Sequence, residues 1–149
     1  MATNGEQASP TALIGVVEPD ADVREFLQSV LMRAGYRCQS FVSAERFERI
    51  AATTHFDCLI TECDLPGIDG LELARRVRDF KEPLPVMLLT SDSDAELERA
   101  AHAAHVTRVQ KKPLGVREFL RSVALTLTEV VESTHSPRGL MGSDLPGHC

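Results

Sequence analysis

The chain has 149 residues, 43% of them hydrophobic, which suits one domain with a real core and leaves too little for two of ordinary size. A formal charge of -6 and an isoelectric point near 5.3, with basic residues interspersed among acids, argue against a nucleic-acid surface. No apolar run approaches the ~20 residues of a membrane span, and the start, MATNGEQASP, has neither a basic flank nor an apolar stretch, so a cytoplasmic protein with no membrane role is expected.

The run TALIGVV, residues 11–17, is short, continuous and rich in β-branched residues, as expected of a strand buried on both faces. From Asp20 the spacing changes: Val23, Phe26, Leu27, Val30 and Leu31 form one face of an amphipathic helix, ended by Gly35. YRCQSF then alternates as a second strand, and SAERFERIAA opens a second helix with Ser43 at the N-cap and an acid in its first turn. DCLIT is the third strand, with Glu62 placed just after it. The turn DLPGIDG leads into a helix carrying Leu71, Ala74, Val77 and Phe80, with Asp69 and Glu72 as its start signal. PVMLLT, residues 85–90, is a fourth strand, followed by a helix over SDSDAELERAAHAAH with a capping box at Ser93 and Glu96. TRVQ is a short fifth strand closed by Lys112-Pro113. The last helix starts near Gly115, with an apolar stripe from Val116 to Val130. Residues 132–149 lack periodicity and are rich in Gly, Pro and Ser, so they and residues 1–10 read as disordered tails around a domain over 11–131.

Five strands alternating with five helices imply an α/β fold, a doubly wound five-stranded parallel sheet built by right-handed crossovers. Ligands of such sheets bind beyond the carboxyl ends of the strands, where strand order reverses. The residues at those ends are Glu18, Pro19 and Asp20 after the first strand, Glu62 after the third, Thr90 and Ser91 after the fourth, and Lys112 after the fifth. Acids of this kind hold a divalent cation through oxygen ligands, a lysine neutralises a transferred phosphoryl group, and a hydroxyl contacts its oxygens. Each residue also has a plainer explanation: Glu62 as a solvated or salt-bridged side chain, Thr90 as a helix cap, Lys112 as a surface lysine, Asp64 as a turn residue. The five histidines, His55, His102, His105, His135 and His148, read as solvent-exposed. Cys38, Cys58, Cys63 and Cys149 lack metal-ligand spacing and read as free thiols.

Over about residues 11 to 131 the sequence resembles the receiver domain of two-component response regulators. The resemblance rests on VVEPDADVREFL, LPGIDG, the strand-end Thr90 and KKP with Lys112-Pro113. It implies a flavodoxin-like (βα)5 receiver fold, and it implies departures. The family's phosphate-accepting aspartate is here Glu62. Its metal-binding acidic pair is Glu18-Pro19, so magnesium binding is expected to be weak or absent. The aromatic that swings inward with Thr90 is Val109.

What the resemblance then implies is an atypical receiver, a protein-interaction module working without phosphorylation and without catalysis. Glu62 reaches toward Lys112 and carries a fixed charge where a phosphoryl group would bring about -1.5 to -2. The alternative is a working phosphorelay receiver that uses Asp64, Asp20 or Glu62 as acceptor. A nucleotide or flavin enzyme would need a Gly-rich phosphate-cradling loop after the first strand, which is missing here. Expected partners are a histidine kinase or a downstream effector, or a second copy of the chain. The docking face implied is that of the fourth helix, fifth strand and fifth helix.

Overall fold

The computed structural model describes residues 11–129 except Leu114. Ten elements follow one another: β1 Leu13–Val17, α1 Ala21–Arg33, β2 Arg37–Phe41, α2 Ala44–Ala51, β3 Cys58–Glu62, α3 Gly70–Arg78, β4 Val86–Thr90, α4 Ala95–Ala103, β5 Arg108–Lys111 and α5 Val116–Leu127. The strands form one parallel sheet in the order β2-β1-β3-β4-β5. This is the doubly wound arrangement that the alternation predicted, in the flavodoxin-like form that the resemblance implied. The chain leaves β1 toward β2 and returns to place β3 on the other side, so strand order reverses between β1 and β3.

Residues of β1, β3 and β4 are buried along their whole length, which is why they read as unbroken apolar runs. Alternate side chains feed two cores. Ile14, Val16, Cys58, Ile60, Met87 and Leu89 pack with Leu27 and Leu31 of α1 and with Phe119 and Val123 of α5. Leu13, Val17, Leu59, Val86 and Leu88 point the other way, onto a larger core with α2, α3 and α4. Register is continuous across the reversal, with Val17 opposite Thr61 and Glu62 opposite Leu89.

Several expected boundaries shift. Glu62 lies within β3 rather than after it, and β5 begins and ends one residue later than TRVQ. The fourth helix is capped by Asp94, whose carboxylate accepts from Leu97 N at 2.8 Å, and not by Ser93, whose hydroxyl donates to Glu98 Oε2. α5 ends at Leu127 with Thr128 as its C-cap, and the expected extension to Val130 lies outside the described residues, as do the proposed tails, the 130–131 end of the domain, His135 and His148. Ser43 and Asp69 cap α2 and α3 as predicted.

Candidate functional site

The sheet's carboxyl edge is built by carrying the strand ladders one residue past their ends. Glu18 N donates to Phe41 O at 3.0 Å, Cys63 N to Leu89 O at 2.7 Å, and Lys112 N to Thr90 O at 2.8 Å. These bonds fix where the side chains of Glu18, Glu62 and Lys112 start. Behind β3, Gly70 opens α3 against the strand end, and its N–H donates to Cys63 O at 2.9 Å. A Cβ at Gly70 would collide with the Glu62 carbonyl oxygen and stand 2.9 Å from Cys63 Cα, so only glycine lets α3 sit this close. The turn before it is held from the side: Ile68 N donates to Glu45 Oε2 at 3.3 Å, beside Gly67 at φ 76°.

Three charged groups meet at the reversal point. Glu18 and Glu62 are 2% and 6% exposed, and the ammonium of Lys112 lies between them, 3.1 Å from Glu18 Oε1 and 2.5 Å from Glu62 Oε1. The ammonium of Lys112 is thus ion-paired to Oε1 of both carboxylates. The remaining carboxylate oxygens take backbone donors: Asp20 N to Glu18 Oε2 and Asp64 N to Glu62 Oε2, both at 3.1 Å. Burial pulls the Lys112 ammonium toward deprotonation, but the carboxylates of Glu62 and then Glu18 outweigh it, and its pKa stands above the usual lysine value.

A cleft of about 520 Å³ opens over this pair, lined by Glu18, Pro19, Glu62, Cys63, Asp64 and Thr90 among others. Asp64 is exposed at its mouth. The other residues singled out from the sequence are placed differently. Asp20 caps α1, its Oδ1 accepting from Asp22 N and Val23 N, and is exposed. Thr90 closes a ring on its own loop: its hydroxyl accepts from Asp92 N at 3.1 Å and donates to Asp92 O at 3.0 Å. Val109 is half-buried against the core of α2, α3 and α4. Pro19 offers no side-chain donor, and among the described residues no group of three or more His, Cys, Asp and Glu side chains is arranged to hold a metal ion.

Sequence reading missed two participants. Arg24 turns back from α1 and donates to the carbonyls of Glu18 and Pro19 at 2.9 and 3.3 Å, fixing the loop that carries Glu18. Asp92 holds Thr90. Neither has a spacing signal, because both contacts follow from how a loop folds. The cysteine reading is corrected as well. Cys38 and Cys58 carry free thiols, but Cys63 is disulfide-bonded, which cysteine spacing alone does not encode, and Cys149 lies outside the described residues. His55, His102 and His105 are exposed; burial, then Arg78 and His102, lowers the His105 pKa.

A family model for the response regulator receiver domain matches residues 14–124. The chain belongs to the response regulator receiver family. It is a receiver domain of two-component signalling. It is 31% identical over 109 residues to the response regulator receiver protein CpdR of Brucella abortus, covering 72% of this chain and 90% of that one. It is 29% identical to the DNA-binding transcriptional regulator NtrC of Escherichia coli over 86% of this chain, but spans only 27% of NtrC. Among solved structures, Vibrio cholerae CheY4 matches with a TM-score of 0.74 at 22% identity, covering 78% of this chain and 99% of that one. The Thermotoga maritima response regulator TrrA, in complex with Mg2+ and BeF, matches with a TM-score of 0.70 at 25% identity, covering 78% of this chain and 99% of TrrA. Among the described residues no helix is long and apolar enough to cross a membrane.

Proposed function

We propose that this receiver works without phosphorylation, as a docking module whose central carboxylate is permanent. In this reading Glu62 stands where a receiver carries its acceptor aspartate, and Pro19 stands where it carries a metal-binding acid. The observation that carries the reading is the pairing of Glu62 with Lys112. The lysine that would greet an incoming phosphoryl group is already held by two buried carboxylates. An acceptor must present a free oxygen to its donor, and Glu62 has one oxygen against an ammonium and the other on a backbone N–H.

The module is no enzyme in this reading, binds neither nucleic acid nor membrane, and acts in the cytoplasm by binding a signalling protein, a histidine kinase or a downstream effector. A dimer or partner contact through α4, β5 and α5 is supported on α5, which leaves Val116 and Leu125 46% and 43% exposed. The competing reading, phosphotransfer, draws on one observation: Asp64 is exposed at the mouth of the cleft.

The test is direct. Incubated with magnesium and a small-molecule phosphodonor, the full chain is expected to gain no phosphoryl mass in intact-protein mass spectrometry. A stoichiometric, base-labile adduct mapped to Glu62, Asp64 or Asp20 would replace the docking reading with phosphotransfer.

A further inference from the structure

The buried acids at the strand reversal raise a question of charge that deepens the reading of Glu62 as a fixed carboxylate. Two carboxylates at 2% and 6% exposure cannot stand ionised side by side without a counter-charge. Oxygen-rich clefts commonly recruit a divalent cation for this, held by carboxylates and waters in a near-octahedral or larger shell. The residues here do not fit one. Pro19 supplies no ligand, and Glu18 directs one oxygen at Asp20 N and the other at Lys112. Glu62 does the same with Asp64 N and Lys112.

We propose that the ammonium of Lys112 is the resident cation of this cleft. Its Nζ contacts Oε1 of both Glu18 and Glu62, neutralises one of the two charges, and holds the ends of β1 and β3 to the end of β5. It arrives from the side: Lys112 and Pro113 line a separate apolar groove with Val23, Phe26 and Leu27 of α1, while the acidic cleft above the pair stays open. An internal cation cannot be diluted or chelated away. The wild-type cleft is therefore indifferent to divalent ions, and loss of the ammonium turns it into a site that needs one. In that variant Glu18 and Glu62 supply the inner carboxylates, with Asp64 at the mouth.

The experiment compares thermal midpoints of full-length wild type and Lys112→Met in millimolar MgCl2, in CaCl2, and in NaCl of equal ionic strength. Wild type is expected to melt at one temperature in all three. Lys112→Met is expected to melt roughly 5–10 °C lower in NaCl and to recover at least half of that loss in a divalent salt. Adding Glu62→Gln to Lys112→Met is expected to abolish the recovery. A Lys112→Met midpoint blind to divalent ions, or a wild type that rises as much as the variant, overturns the proposal. If Lys112→Met does not fold in NaCl, its refolding yield decides: recovery in CaCl2 or MgCl2 but not NaCl supports the resident cation, and no recovery in any salt overturns it. No phosphodonor or partner enters this test. A phosphoryl adduct would sink the docking reading and leave these midpoints unchanged, while a cation-blind variant would do the reverse.

Discussion

Lys112 is the residue on which the site turns, and its titration offers a way to weigh the pair. Burial lowers its proton affinity and two carboxylates raise it, with the net result above the unfolded value. A group whose folded pKa is raised stabilises the fold fully below its unfolded pKa and ceases to do so as pH rises through the folded one. The stabilisation by the ion pair is thus present at neutral pH and lost in the alkaline range, beginning near the ordinary lysine value of about 10.4. Burial also pushes the Cys38 thiol up to about 11, and burial with the Asp57 charge pushes Cys58 up to about 12, so these two thiols add their own alkaline loss. Comparison with Glu62→Gln removes that background, since both proteins keep the cysteines. The stability gap between them, from urea unfolding, is expected to be constant from about pH 7 to 9 and to narrow above about pH 10. A gap that stays constant to about pH 12 would mean that Lys112 is not the partner of Glu62.

At the scale of elements, the helix starts separate what a sequence can decide from what it cannot. The segment SDSD before α4 offers two adjacent caps. Ser93 with Glu96 has the spacing of a capping box, whereas Asp94 has no glutamate at the matching position. The structure gives the cap to Asp94, because that choice places Leu97 and Ala101 in the core, at 6% and 3% exposure. Asp94→Ala is expected to cost about 1 kcal/mol, and Ser93→Ala less than about 0.5 kcal/mol, since its hydroxyl only meets Glu98 on the surface. Equal losses in chemical unfolding would favour the capping box. The same distinction runs through the fold. β1, β3 and β4 were legible because burial on both faces leaves an unbroken apolar signature, and Ser43 and Asp69 because capping is local. The gathering of Glu18, Glu62, Thr90 and Lys112 at one edge was legible from topology. Which of them touch was not: Glu18 and Lys112 are 94 positions apart, and Thr90 turned to its own loop while Asp20 turned to its own helix.

Across the whole molecule, the position of the site depends on how closely β1 and β3 are backed by the helices beneath them, and Gly15 sets that distance. It sits in the middle of β1 opposite Leu59 of β3, and a Cβ there would stand 2.8 Å from Phe47 Cε1 and 3.2 Å from Phe56 Cδ1. Phe47 and Phe56 are fully buried and nearly fully buried, with ring centroids 5.1 Å apart, and Phe41 meets Phe47 edge-on at 5.5 Å. The glycine therefore trades a side chain of its own for the ring of Phe47. Gly15→Ala is expected to destabilise by about 1–3 kcal/mol through overpacking, although alanine is otherwise the better residue in an ordered strand. Phe47→Leu is expected to destabilise by a similar amount, through the lost ring contacts and the space left behind. The two together should lose less than the sum, by about 1 kcal/mol, because the new methyl enters the space that the ring vacates. Urea unfolding of the four proteins gives the comparison. Strict additivity would show that the ring and the strand relax independently, and that the approach of α2 to β1 does not fix the height at which Glu18 is delivered to Lys112.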